Sequence, residues 1–464
     1  MSDNQLRNLK KVMGFPEVIA LAFGQIIGAG VFVITGIGIG LTGKGVILAF
    51  IISGVINCAY ATVIAQMSAA IPATGAGYRY STLLLGPRFG FLWELGVICS
   101  KVNLALYSLS FAQYLAGLFP SIPIRSAALA MLTFFYLLNL VGLKPAAELQ
   151  KWLVVVKLSA LFVFVAWGIS SVDIKGFASI DALVPNGWDN MFQAIAILSF
   201  ASAGGNIVAE LGGEMKNPRR DIPLAVYIGT IGSTLIYVLV AAVAAGVLPI
   251  SEVADKPLSA VAKAVLPQTA YVYFMIGGAA IALCTTLNSM FQYVTKGMLV
   301  ACQDGWLPKG FGVVNKRFGT PHYCLTFFYL IGVVTILAGL SLGNVARIGY
   351  SFKLFIDIIP VVGCYFLVKK YPVQYRNAPF RLEPGTLNIV VSLAILILGS
   401  QAFYTLKGLP TDLLTGTLIA MALAVAYVCI AGHWIDRSRI TQIEADEPAA
   451  SPVVLSDGAV GKIG

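Results

Sequence analysis

The sequence predicts an all-α integral membrane protein of twelve transmembrane helices. Three observations carry this. Of the 464 residues, 58% are hydrophobic and only 11% are charged, whereas a soluble globular chain carries about 25% charged residues. Apolar runs of about 20 residues, each enough to cross the hydrocarbon core, recur along the whole length. The basic residues cluster in every second connection between those runs.

The spans are read at 15–40, 45–70, 89–118, 124–143, 150–170, 189–212, 222–248, 269–300, 322–341, 345–368, 387–406 and 411–434. Backbone polar groups in lipid must pair within the protein, so spanning segments are helices or closed barrels. Barrel strands would show short alternating segments, and these runs are long and continuously apolar. With the N-terminus in the cytoplasm, the cytoplasmic segments hold about 20 of the Lys and Arg residues and the external ones about 7. Lys10, Lys11, Arg79, Arg88, Lys216, Arg219 and Arg220 fall inside; Lys44, Arg125 and Lys256 fall outside. Both termini are therefore expected in the cytoplasm, and the polar start predicts no cleavable leader.

The same bias explains the net charge of +10. In a soluble chain that charge would suggest nucleic acid; here it is a topological signal, and no nucleic-acid partner is expected. No soluble domain interrupts the spans. Residues 1–14 read as a cytoplasmic lead-in, and the polar, proline-containing 435–464 as a disordered cytoplasmic tail. The seven cysteines lie in or beside apolar runs without paired spacing, which reads as reduced thiols packed among helices. His322 and His433 stand alone. Neither a metal site nor a cofactor is expected.

Two spans carry glycine near their middle. The first contains GQIIGAGVF, Gly24 to Phe32, and the sixth contains SFASAGGNIVAELGG, Ser199 to Gly213. Glycine weakens a helix by about 1 kcal/mol relative to alanine. Glycines in membrane helices also serve close packing, the preferred reading for Gly36, Gly38 and Gly40. At Gly28-Ala29-Gly30 the matching break at Ala203-Gly204-Gly205, five spans later, tips the balance toward binding. Unwound backbone at membrane depth lines a cavity. Half-helix N-termini favour a carboxylate and half-helix C-termini a cation, so a zwitterion suits both. The glycine-rich LTGKG at 41–45 lacks the spacing of a phosphate loop.

Four stretches in order resemble the amino acid–polyamine–organocation family of permeases. IIGAGVF is similar to the family's Gly-Ser-Gly stretch, and IPATGAGYRYSTLLLG (71–86) to its proline–glycine–tyrosine segment. GGEMKNPRRDIPLA (212–225) and DGWLPKGFGVVNKRFGTP (304–321) resemble the loops after spans six and eight. The resemblance covers nearly the whole chain. It implies two inverted five-helix repeats, at 15–170 and 189–368, followed by two helices at 387–434, and alternating-access transport of amino acids or amines.

It also implies roles for particular residues. The substrate stretch is Ile26, Ile27, Gly28, Ala29 and Gly30, with Phe200, Ala201, Ala203 and Gly204. The substrate carboxylate would meet the N–H groups of Ala29 and Gly30. Its amino group would meet the carbonyls of Ile26, Phe200 and Ala203. Phe200 resembles the family's outer aromatic gate. Ala29 departs from the family, where serine is common, so a hydroxyl contact is lost.

Ionisable groups inside spans are costly and mark function. Lys157, two turns into span five, resembles the lysine that replaces sodium in sodium-independent relatives; the alternative is snorkelling to the interface. A proton is a further candidate coupling ion. Glu94 and Lys101 lie seven residues apart on one predicted helix face, and Lys353 and Asp357 four apart, both read as neutralising pairs. Lys101 is singled out because span three lines the pocket in this fold; it could select an acidic side chain or exclude cationic ones. Asn206 and Glu210 follow the second break, Glu214 sits at the cytoplasmic mouth, and Lys296 is either a gate or a snorkelling residue.

The expected function is a plasma-membrane transporter of neutral amino acids, sodium-independent, working by exchange or proton symport. The alternative is a polyamine or cationic amino acid antiporter, against which no acidic residue stands at the centre of either break. An enzyme would need a nucleophile–base or metal constellation that the spans lack. A channel would not need matched broken helices.

Overall fold

The computed structural model describes residues 9–172, 183–340, 342–407 and 410–432. Residues 1–8, the tail from 435 and His433 lie outside the described residues. The described chain is helical, with three isolated bridges in place of any strand. Among these residues nine helical stretches are long and apolar enough to cross a membrane. His322–Leu337 is a shorter apolar helix.

Helices α1 (Phe15–Ile26) and α2 (Ala29–Thr42) divide the first predicted span at Ile27-Gly28. Pro16 opens α1, and Glu17 Oε2 accepts the Gly14 N–H at 3.0 Å. Helix α3 (Val46–Ala70) follows, then the short buried α4 (Ala76–Leu84). The third predicted span is two helices, α5 (Pro87–Ser100) and α6 (Asn103–Leu118), separated at Lys101-Val102. After α7 (Ile124–Val141), α8 (Leu143–Gly168) starts seven residues before the predicted 150, because the polar turn around Lys144 and Glu148 continues the helix beyond the apolar run.

The sixth predicted span, 189–212, is α-helical only as α9 (Gly187–Ala201); 3₁₀ turns cover Gly205–Glu210 and Gly212–Glu214. Helix α10 (Pro218–Gly246) follows. The eighth predicted span runs through a π-helical stretch, Phe274–Ala280, into α11 (Ile281–Tyr293) and α12 (Thr295–Gln303). The remaining long helices are α13 (His322–Leu337), α14 (Leu342–Cys364), α15 (Pro384–Lys407) and α16 (Thr411–Ala431).

The broken pair is central. Helix α1 packs on α8, α10 and α11, while α2 packs on α9. The periphery carries large exposed apolar side chains: Phe162 and Leu396 are each 71% exposed. Soluble surfaces avoid contiguous patches of this kind, and lipid covers them at no cost. The packing role of the outer glycines is visible. The Gly36 carbonyl accepts the Asp255 N–H at 2.9 Å, and a Cβ on Gly36 would collide with the Lys256 carbonyl. A Cβ on Gly40 would stand 2.7 Å from the Asp255 carboxylate.

Candidate functional site

The first break arises where the chain passes too close to α11 to carry a side chain. A Cβ on Gly28 would lie 2.6 Å from Thr286 Oγ1, and that hydroxyl donates to the Gly24 carbonyl at 3.2 Å. Gly28 leaves helical geometry at φ −109°, ψ −147°, and α2 begins at Ala29. The first N–H groups of α2, those of Ala29 and Gly30 among them, therefore have no intrahelical acceptor. The second break begins after Ala201, and Gly204 takes φ +124°, a value that favours glycine. The two breaks touch: a Cβ on Gly30 would lie 3.1 Å from Ala201 Cα.

Tyr237, fully buried on α10, joins them. Its hydroxyl lies 2.9 Å from the Ile26 carbonyl and 3.4 Å from that of Ala201. The Ile26 carbonyl assigned to the substrate's amino group thus already receives an internal donor. Beside the breaks lies a cavity of about 760 Å³. Ile26, Gly28 and Gly30 line it from the first break, and Ala201, Ala203 and Gly204 from the second. It continues past Ile34 and Ile37 to Pro257 and Ser259, at the opposite end of the molecule from Met13. Ile27 is fully buried. The Ala29 and Phe200 backbones are helical, and their side chains lie outside the described residues.

Lys157 is fully buried. Its Nζ donates to the carbonyls of Phe23 at 3.2 Å and Ile27 at 2.7 Å, and to Thr285 Oγ1 at 2.8 Å. Three donors meet three neutral oxygens, which satisfies the ammonium. The head group does not snorkel; it ties α8 to the C-terminal end of α1, where the Phe23 carbonyl also accepts the Ile27 N–H.

The expected Glu94–Lys101 pair does not form. The helix stops at Ser100, and among the described residues no ion pair joins Lys101 to Glu94. Lys101 Nζ instead donates to the Tyr293 hydroxyl at 3.1 Å and stands 4.7 Å from that ring's centre. Glu94 is buried with both carboxyl oxygens unpartnered. Lys353 and Asp357 do pair, and both line the cavity. Asn206 lines it too, with its amide donating to the Tyr60 hydroxyl at 3.2 Å. Glu210 lines it while Oε1 accepts the Gly77 N–H at 2.9 Å.

At the Met13 end, Lys296 and Glu214 form a buried ion pair at 2.7 Å. Lys296 is therefore paired inside the protein, not extended to the interface. The backbones of Met13, Glu214 and Lys216 bond around this point. Sequence reading missed Tyr237, Thr285, Thr286 and Tyr293. Each is an ordinary member of an apolar run, and only its partner across another helix marks it.

Paired helix breaks facing one cavity, in a multi-pass membrane protein with a lysine bonded to the end of the first half-helix, form the candidate site. The chain belongs to the amino acid permease family, whose sequence profile matches residues 13–430. It is 26% identical over 422 residues to the branched-chain amino acid permease BcaP of Bacillus subtilis, covering 84% of this chain and 87% of that one. It is 26% identical over 396 residues to the methylthioribose transporter of the same organism, covering 80% and 84%. It is 28% identical over 343 residues to the mitochondrial cationic amino acid transporter 3 of Arabidopsis thaliana, covering 68% and 55%. These relatives are permeases and transporters, not enzymes.

Proposed function

We propose that this permease is a secondary active transporter of neutral amino acids, independent of sodium, working by exchange or proton symport through alternating access. The observation that carries the reading is the contact between Gly30 and Ala201 at the head of the cavity. It puts the N–H groups that open α2 beside the carbonyls that end α9. A carboxylate is favoured at the first and an ammonium at the second. Ile26, Ile27, Gly28, Ala29, Gly30, Phe200, Ala201, Ala203 and Gly204 form the substrate site in this reading, with Phe200 as its outer lid.

Lys157 stands in for the coupling cation, supported by its complete set of neutral acceptors. The proposed layout has twelve spans, with inverted repeats at 15–170 and 189–368, two further helices at 387–434, and both termini in the cytoplasm of a plasma-membrane protein. The cavity reaches Pro257 and Ser259, while the Lys296–Glu214 pair closes the Met13 end. That pattern supports an outward-open state. Neutral substrates are favoured over cationic ones because no acidic residue stands at the centre of either break, and Lys101, which forms no ion pair among the described residues, lines the cavity.

The test is uptake of a radiolabelled amino acid panel into proteoliposomes, with and without internal counter-substrate. Amino acid amides and decarboxylated amines are expected to compete poorly with the intact amino acid. If putrescine competed better than every amino acid, the polyamine alternative would replace this reading.

A further inference from the structure

Lys101 occupies an unusual place in the cavity wall. Helix α5 ends beneath it, with the Lys101 N–H reaching back to the Ile98 carbonyl at 3.1 Å, and α6 restarts at Asn103. No glycine or proline stands at this interruption. The side chain lines the cavity, where Tyr293 both accepts one of its hydrogen bonds and lies beneath its charge. An ammonium carries three donors, and Tyr293 takes one. Among the described residues no carboxylate forms an ion pair with Lys101. The other charges of the wall are engaged: Lys353 with Asp357, and one oxygen of Glu210 with the Gly77 N–H.

We infer that Lys101 selects the substrate's side chain, donating to a terminal carbonyl oxygen, so that carboxamide side chains are preferred and ammonium or guanidinium side chains are rejected. The inference rests on the amino acid transport reading and names the substrate class within it. A terminal carbonyl accepts the donors that Tyr293 leaves. A cationic side chain would meet like charge at Lys101, and such repulsion is an effective means of exclusion. A carboxylate would also accept from Lys101, but Glu210 and Asp357 share the wall and oppose a second negative charge. A carboxamide carries no charge, and its NH₂ group can donate to those same carboxylates. A cavity of about 760 Å³ has room for a side chain of this length.

The experiment uses the purified full-length protein in proteoliposomes. Glutamine, glutamate, methionine and lysine compete against a labelled substrate from the panel, with methionine the apolar match for glutamine in length. Glutamine is expected to compete best in the wild type, ahead of glutamate, with lysine last. In Lys101→Met the advantage of glutamine over methionine should fall by about tenfold or more, because a site built to hydrogen-bond loses its preference with the bond. The penalty on lysine should shrink in the same variant. Lys101→Arg, which keeps donors and charge, should keep the wild-type order. The ligand-induced rise in melting temperature gives the same ranking without transport, and Lys101→Gln replaces the Met variant if that one fails to elute as a single species.

Methionine or lysine outcompeting glutamine in the wild type would overturn the assignment. So would an undiminished glutamine preference in both Lys101→Met and Lys101→Gln. If the wild type moved no amino acid, the transport reading itself would fall, and this inference with it.

Discussion

The ammonium of Lys157 lies 2.7 Å from the carbonyl oxygen of Ile27, the residue just before the glycine that breaks the first span. The two residues are 130 positions apart. A fixed cation thereby holds the end of a half-helix in place, which supports the proposed role of Lys157 as the substitute for a mobile cation.

Uptake should therefore persist when choline replaces sodium. Lys157→Ala should abolish most transport while the protein still folds, at a stability cost of about 1–3 kcal/mol for the Ile27 carbonyl that loses its lysine donor. Melting of the purified variant beside its uptake rate separates the two effects. Loss of most wild-type uptake in choline would sink the assignment.

The buried Lys296–Glu214 pair makes a second case. Removing one partner leaves an uncompensated buried charge, so Glu214→Gln should destabilise the protein by about 3–5 kcal/mol. Combining it with Lys296→Met should recover much of that loss. A double-mutant cycle on melting free energies checks this; strictly additive single effects would mean that the contact carries no coupling.

Gly36 tests the packing reading. An added methyl meets the Lys256 backbone, which cannot rotate away as a side chain would. Gly36→Ala should lower stability by about 1–3 kcal/mol, the usual cost of overpacking. The order of competing substrates should stay as in the wild type. A changed substrate order in this variant would place Gly36 in the binding site instead.

Phe200 sits in the last turn of α9, directly before the second break. The proposed lid role predicts that it is needed for turnover more than for folding. Phe200→Ala is expected to lose most exchange activity with its melting temperature within a few degrees of the wild type. Normal exchange rates in the purified variant would return Phe200 to ordinary packing.

The breaks at Gly28 and Gly204 were legible because glycine is a local signal, readable wherever it interrupts an apolar run. The interruption at Lys101-Val102 was not, since the one glycine in LWELGVICSKVNLAL, Gly96, lies inside the helix and neither glycine nor proline marks the point where it stops. The π stretch at Phe274–Ala280 does carry Gly277-Gly278, but there the helix widens by one residue and continues into α11 instead of breaking, an outcome the glycines alone do not distinguish from close packing. Lys157 and Lys296 each admitted snorkelling on sequence grounds, because a lysine near a helix end reaches either water or a neighbour.

The sequence by itself determined that the chain is helical and membrane-embedded, and which two helices are weak in the middle. Those properties follow from apolarity and backbone propensity, which act over a few residues. Apart from Lys353 and Asp357, whose spacing on one helix already pairs them, the tertiary structure decided which polar groups meet. It set Lys157 on the end of α1, Lys101 on Tyr293 and Lys296 on Glu214, and it put Tyr237 across both breaks. A buried donor takes whichever acceptor the packing of distant helices brings within about 3 Å. Helix propensity carries no record of that meeting.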